Sequence, residues 1–295
     1  MVRLSFLILL STFLFAVMAV LMKFATVSLT VWEILLFRSL FGIVFCGTIL
    51  RRRHLTPLTS HPWKYLLRCI LGTGGFTLGV FALKYLPLGT AQAFRNASPL
   101  WFCLFLSIAA ALQGERLEHK LLLAVAAGFA GVLLILRPDI PTEATTGALI
   151  GVLAGLTSGA ADYMIRNLSQ EKEPPERIVF YFMLSGTLTG LAVCLVNGFS
   201  DYTWESVLLL LGIGLMGTLG QLIFTSGWTR GHPLLNAVFQ FTGIPFAVLF
   251  GFILFGERPD GIALLGITLV TLAGLSASII RRRAELRTRE TNAKA

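Results

Sequence analysis

Charge is what this chain has least of. Asp, Glu, Lys and Arg make up only 13% of its 295 residues, and its mean hydropathy is +0.79. A soluble domain normally carries about twice that charged share, so a water-soluble globular fold is excluded. Cysteine and histidine are also sparse, four of each. Cys46, Cys69, Cys103 and Cys194 fall in apolar stretches without a CxxC pair. They read as small packed hydrophobes, not as a disulfide framework or metal site. His54, His61, His119 and His232 lie at stretch ends or in polar connections without ligand spacing. HExxH, GxSxG and P-loop signatures are missing, so zinc-hydrolase, serine-hydrolase and direct ATP chemistry lack their residues. Neither an enzyme nor a cofactor is expected.

A net charge of +9 does not mark a nucleic-acid binder here, because the basic residues flank apolar runs and form no separate basic domain. What the chain has in abundance is apolar length. Each run is sufficient to cross a ~30 Å hydrocarbon core as a helix. About ten spans are predicted. They are Leu4–Met22, Val31–Leu50, Tyr65–Leu83, Gly89–Leu112, Leu121–Leu136, Ala148–Ile165, Ile178–Val196, Ser206–Trp228, Leu234–Phe255 and Ile262–Ile280. The first follows Arg3 and imitates a secretory leader. No small-x-small site precedes Lys23 and further spans follow, so it is expected to stay as a membrane helix. The predicted fold class is all-α integral membrane.

Lys and Arg cluster in alternate connections. Arg51, Arg52, Arg53 and Lys64 follow the second span, Arg116 and Lys120 the fourth, and Arg166, Lys172 and Arg177 the sixth. Arg230 follows the eighth, and Arg281, Arg282, Arg283, Arg287, Arg289 and Lys294 follow the last. The opposite connections hold little beyond Lys23, Lys84, Arg137 and Arg258. By the positive-inside rule both termini are expected in the cytoplasm.

The chain also repeats itself at an offset of about 143 residues. Gly114-Glu115-Arg116 closes one apolar stretch and Gly256-Glu257-Arg258 another, with Ala130-Gly131 and Ala273-Gly274 behind them. Lys23 falls against Arg166, Glu33 against Glu176, and Phe37-Arg38 against Phe180-Tyr181. An odd number of spans per unit makes the second copy enter the membrane with opposite orientation. The expectation is two five-helix inverted repeats, residues 1–140 and 141–283, then a polar cytoplasmic tail, 284–295, solvated and frayed. Two inverted copies of one unit are the architecture of a secondary transporter working by alternating access.

These features resemble the EamA-type branch of the drug/metabolite transporter superfamily. Each copy pairs an arginine or aromatic early in its second span with a stretch like Ala82-Leu83-Lys84-Tyr85-Leu86-Pro87 after its third. A Pro-containing fourth span then ends in Gly-Glu-Arg, and an Ala-Gly pair sits in the fifth. The likeness covers the chain apart from its C-terminal tail. It implies a ten-helix inner-membrane carrier of small organic solutes, often amino acids or related metabolites, frequently moved outward. It also implies a central cavity lined mainly by helices other than the fifth and tenth. One departure is that Pro99 lies about one helical turn further from Glu115 than Pro245 does from Glu257.

Ionisable groups inside spans are costly and by default point to function. Arg38 and Arg95 share a predicted depth of roughly 9–12 Å below the outer surface. Two guanidiniums there could hold a carboxylate or phosphate bidentately. Their counterparts, Tyr181 and approximately Gln240, are neutral, so a lopsided site is expected. Alternatively, Arg38 pairs with Glu33 or snorkels outward. Asn96, Ser98 and Pro99 adjoin Arg95, and the proline either frees a carbonyl for substrate or makes a packing kink. Asp162 is the proton-coupling candidate, or else an interfacial acid paired with Arg166. Gln92, Gln221, Thr218, Thr225 and Gln240 suit substrate or contacts between helices. Trp101 and Trp228 suit a flat or apolar substrate part, while Trp32 and Trp63 mark the interface. Glu115 and Glu257 read as helix-end salt-bridge residues. Gly72, Gly74, Gly75 and Gly79 echo Gly212, Gly214, Gly217 and Gly220 as close-approach positions.

The expected partners are the lipid bilayer and one small-molecule substrate, an amino acid or related metabolite, exported and with proton coupling as an option. Alternatives are an uptake or exchange permease for a larger metabolite such as S-adenosylmethionine, or a multidrug or organic-cation exporter. From a different class come a membrane scaffold and a channel, although a channel would more naturally show rings of like residues.

Overall fold

A computed structural model describes residues 2–112, 142–230 and 239–294, with isolated positions between 123 and 134 and at 236. The described residues form ten helices. They are α1 (Val2–Ala25), α2 (Val31–Arg52), α3 (Pro62–Tyr85), α4 (Leu88–Arg95), α5 (Ser98–Leu112), α6 (Thr142–Gln170), α7 (Pro175–Asn197), α8 (Trp204–Arg230), α9 (Gly243–Phe255) and α10 (Gly261–Lys294). Six segments, Leu7–Ala25, Val31–Arg52, Pro62–Tyr85, Thr145–Gln170, Pro175–Asn197 and Trp204–Arg230, are long and apolar enough to cross a membrane. The protein is an all-α, multi-pass membrane protein. Gly114-Glu115-Arg116, half of the predicted span Leu121–Leu136 and the start of Leu234–Phe255 lie outside the described residues.

Two predicted spans do not run unbroken. Gly89–Leu112 is divided by a turn at Asn96-Ala97 into α4 and α5. Pro99 explains the division, since its ring excludes the carbonyl one turn back while its missing N–H costs nothing in the first turn of α5. The second half breaks in the same way at Phe241-Thr242, with Pro245 in the first turn of α9. The tail departs in the other direction, because α10 continues to Lys294 where a frayed end is expected. Residues 281–294 contain no Gly or Pro and are rich in Arg, Ala and Glu, all strong helix formers.

The helices pack mainly across the two halves of the chain. α3 lies on α6, α1 on α8, α2 on α7 and α8, α5 on α6, and α4 on α9. Exchanging the halves maps this pattern onto itself, with α1 on α8 becoming α6 on α3 and α2 on α8 becoming α7 on α3. Small residues set the spacing. A Cβ at Gly190 would lie 2.9 Å from the Leu36 backbone nitrogen, and one at Gly159 2.7 Å from the Ser98 carbonyl oxygen. Gly131 is as close to α10, 2.8 Å from the Gly266 carbonyl oxygen. In a lipid environment such tight packing replaces the hydrophobic driving force between helices.

Both ends of the bundle are tied by carboxylates. Thr30 and Glu33 form a capping box that starts α2. Glu33 also accepts from Ser200 N at 2.8 Å, Ser200 Oγ at 2.7 Å and Tyr202 Oη at 2.8 Å. Burial and that carboxylate push the Tyr202 phenol up. At the same end Gly256, at φ +63°, closes α9 in the left-handed region that glycine adopts freely. The turn brings Glu257 onto the N-terminus of α4, where it accepts from Leu88 N at 2.7 Å and pairs with Lys23 of α1. A negative charge at that helix end is favourable. The opposite, basic end is joined by Arg53–Glu176 at 2.6 Å and Arg177–Glu173 at 2.5 Å. Tyr65 Oη and Thr59 Oγ1 also donate to Glu173, at 3.0 and 2.9 Å.

Glu257→Gln keeps the shape of this clasp but removes the counter-charge of Lys23. It is expected to destabilise the protein by about 1–3 kcal/mol, read as a lower Tm in detergent. Adding Lys23→Met should recover part of the loss, and an unchanged Tm in the single variant would show that the pair carries no stability.

Candidate functional site

The two helix breaks meet. A Cβ on Gly243, the first residue of α9, would lie 2.9 Å from Asn96 Nδ2 in the other break. Thr12 of α1 hydrogen-bonds Thr242 at 3.0 Å. Gln240 Nε2 donates to Ser98 Oγ at 2.7 Å, and Ser98 Oγ donates to Asp162 Oδ2 at 3.2 Å. A Gln–Ser–Asp chain thus runs from the end of one broken helix through the start of the other to α6.

Around this junction lies a cavity of about 80 Å³. Arg38, Arg68, Gln92, Arg95, Asn96, Ser98, Asp162, Gln221 and Gln240 supply its polar lining, and Phe15, Phe76, Phe182 and Phe224 its apolar walls. Every helix from α1 to α9 contributes, and among the described residues none of α10 does. Ligand pockets usually measure ~300–1,000 Å³, so a metabolite fits only after the helices separate. A second, narrower void reaches from Gln92 and Arg95 past Met22 and Leu83, toward the Lys23 end.

Three guanidiniums enter the cavity, each over a glycine. A Cβ on Gly72 would sit 1.8 Å from Arg68 Nη1, one on Gly217 2.9 Å from Arg38 Nε, and one on Gly79 3.4 Å from Arg95 Cδ. Aromatic faces hold them from the other side. The Arg38 Cζ lies 4.2 Å from the Phe76 ring centre, the Arg68 Cζ 4.5 Å from that of Phe182 and the Arg95 Cζ 5.4 Å from that of Phe15. Hydrogen bonds are fewer. Arg38 reaches Gln221 Oε1 at 3.4 Å, and Arg95 Nε donates to Gln92 Oε1 at 2.9 Å. Arg38 Nε and Arg68 Nε and Nη1 are buried without a hydrogen-bond partner among the described residues. Arg38 and Arg68 are only 1% and 3% exposed. Asp162, 6% exposed, is the one acid lining the cavity among the described residues.

Of the residues singled out from sequence, Arg38, Gln92, Arg95, Asn96, Asp162, Gln221 and Gln240 converge here. Arg38 does not hydrogen-bond Glu33, whose oxygens are occupied by Thr30, Ser200 and Tyr202. Trp101, Trp228 and Tyr181 lie outside the lining. Trp101 packs on Gly159, and Trp228 against Phe102, with ring centres 4.9 Å apart. Tyr181 Oη donates to the Pro57 carbonyl at 2.9 Å, near the basic end. Its neighbour Phe182 faces the cavity instead, since one residue turns a helix by about 100°. Arg68 escaped the sequence reading. The rule that selected Arg38, an ionisable group within an apolar span, applies to it equally, but Lys64 and Tyr65 beside it give the appearance of an interface.

Comparison with known proteins now adds to the geometry. The sequence model of the EamA-like transporter family matches the chain twice, over residues 3–137 and 145–278. A pseudopaline exporter of Pseudomonas aeruginosa is 28% identical over 273 residues, covering 91% of this chain and 93% of its own length. A riboflavin transporter of Rhizobium johnstonii is 29% identical over 248 residues, 84% of this chain and 79% of that one. A crystal structure of 19% identity superposes with a TM-score of 0.67 over 95% of this chain and 98% of that one, a likeness of fold. Among the described residues no group of three or more His, Cys, Asp or Glu is placed to hold a metal ion.

Gly72→Ala tests the seating of Arg68. The added methyl occupies the position of the guanidinium, so Arg68 must move. Substrate affinity is expected to fall about tenfold or more, equivalent to ~1.4 kcal/mol, while the variant still elutes as a monodisperse protein. Unchanged affinity would show that the seat has no part in binding.

Proposed function

This chain belongs to the EamA-like transporter family, and on that premise we propose that it is a secondary transporter moving an amino acid or related carboxylate-bearing metabolite by alternating access, in the direction of export. That it is a membrane transporter of small molecules, and not an enzyme, follows from the family. The finer reading rests on one observation, three arginines and one carboxylate among the described residues that line a small cavity where two broken helices meet. Discontinuous helices are the usual way for a carrier to expose polar groups at mid-membrane. Guanidiniums select carboxylates and phosphates by their forked geometry. The same arginines argue against an organic-cation or multidrug role.

Alternating access is supported by the packing pattern. Contacts that map onto themselves when the halves are exchanged are what an inverted five-plus-five repeat, with units 1–140 and 141–283, produces. The binding set in this reading is Arg38, Gln92, Arg95, Asn96, Gln221 and Gln240. Trp228 backs the lining Phe224 and Trp101 packs on α6, while Tyr181 sits toward the basic end, outside the binding set. Lys23–Glu257 and the Glu173–Glu176 cluster are the contacts that must yield in turn, one at each end. With the basic end in the cytoplasm of a bacterial inner membrane, the Lys23 end faces outward. The name of the Pseudomonas relative is what favours export.

Asp162 is the residue suited to couple protons. It faces Arg68 from α3, Arg95 from α4, Ser98 from α5 and Gln240 from the far side of the break. A carboxylate in that position can exchange a proton as an anionic substrate enters and leaves.

Counterflow in proteoliposomes tests the proposal. A labelled carboxylate-bearing metabolite should exchange saturably, and Arg95→Ala should abolish its binding with folding near normal. Asp162→Asn should keep exchange but lose the response to an imposed pH gradient. Retained affinity in the first variant removes Arg95 from the site, and an unchanged pH response in the second makes Asp162 structural.

A further inference from the structure

Resting on the transporter reading above, the charge balance of the cavity narrows what it carries. Guanidiniums stay protonated in proteins, so Arg38, Arg68 and Arg95 each bring a full positive charge. Asp162 offsets one of them, leaving a formal excess of two positive charges among the described lining residues. An unbalanced buried charge is costly by several kcal/mol. The aromatic faces of Phe76 and Phe182 relieve part of the charge but accept none of the N–H donors. Each guanidinium has about five such donors, against acceptors among the described residues of one amide oxygen and the Met183 sulfur for Arg38 and one amide oxygen for Arg95. Arg68 Nε and Nη1, at the cavity wall, have no acceptor among the described residues.

We propose that the solute carries at least two acidic groups, one held at Arg38 and one at the unpartnered N–H groups of Arg68. Asp162 is shared between Arg68 and Arg95, and Gln92 holds Arg95 as the third corner of the site. The three guanidiniums come from α2, α3 and α4, and Asp162 faces those of α3 and α4. A monocarboxylate amino acid would leave one guanidinium without a counter-ion in the closed cavity. A dicarboxylic solute, or one with a carboxylate and a phosphate, neutralises both.

The test measures binding to the full-length protein in detergent by titration calorimetry, which does not depend on flux. The probes are α-amino dicarboxylates and plain dicarboxylates of increasing chain length, each beside its monoamide, which has the same size and one charge fewer. O-phosphoserine beside serine gives the phosphate arm. At least one diacid is expected to bind about tenfold or more tighter than its partner lacking the second charge. Arg68→Gln should erase that gap while sparing the singly charged probe, and Arg68→Lys should keep part of it. A preference for carboxylate or phosphate identifies the second acid. Equal binding within every pair, no binding by any diacid at millimolar concentration, or a gap that survives in a monodisperse Arg68→Gln protein would overturn the proposal. Should diacids bind as expected yet show no exchange in proteoliposomes, the transporter reading fails and the charge assignment stands.

Discussion

Hydrocarbon offers no partner for a bare peptide group, and the rest of this structure depends on that constraint. Two helices are interrupted in mid-course, at Asn96-Ala97 and Phe241-Thr242. Their exposed backbone can be tolerated only where protein surrounds it or a polar cavity adjoins it. Both breaks therefore lie at the centre, packed together through Gly243 and Asn96 and joined by the Gln240–Ser98 hydrogen bond. The cavity follows from the breaks, since the helices that enclose them cannot also fill the space between.

Once that centre exists, it becomes the place where charge can be kept. Arg38, Arg68 and Arg95 descend from three helices and converge because the glycines beneath them leave room. Their cost is shared by ring faces, by amide oxygens and by Asp162. What remains unshared is a demand for anionic oxygens. The ends of the bundle show the reverse arrangement, with carboxylates as the hubs. Glu33, Glu173 and Glu257 each gather several donors from different segments. Glu257 in particular explains what half of a repeated Gly-Glu-Arg does, the glycine turning the chain and the glutamate capping the neighbouring half's α4.

Much of this was legible in residue order. Arg38, Arg95, Asp162 and Gln240 stood out because a charge or amide within an apolar run is expensive, and that expense is a local property. The two breaks were less legible, and both spans read as continuous. A proline in an apolar run marks a freed carbonyl or a mere kink alike, as at Pro99, and Pro245 stood out only for its spacing to Glu257. Trp101 and Trp228 were placed at the site by residue type and Tyr181 by its repeat register with Arg38, and neither says which face a side chain takes. A single residue of helical register separates Tyr181, bonded to the Pro57 carbonyl, from Phe182, which lines the cavity. Arg68 shows the converse, because a neighbouring lysine and tyrosine disguised a buried position as an interfacial one.

The sequence by itself determined the helical, membrane-embedded class, the doubled unit and the family, because these depend on composition, run length and spacing along the chain. Tertiary structure alone decided which charges share a cavity. Arg38, Arg68, Arg95 and Asp162 sit on four helices, and their meeting depends on how those helices rotate and cross, which small residues far apart in the chain control.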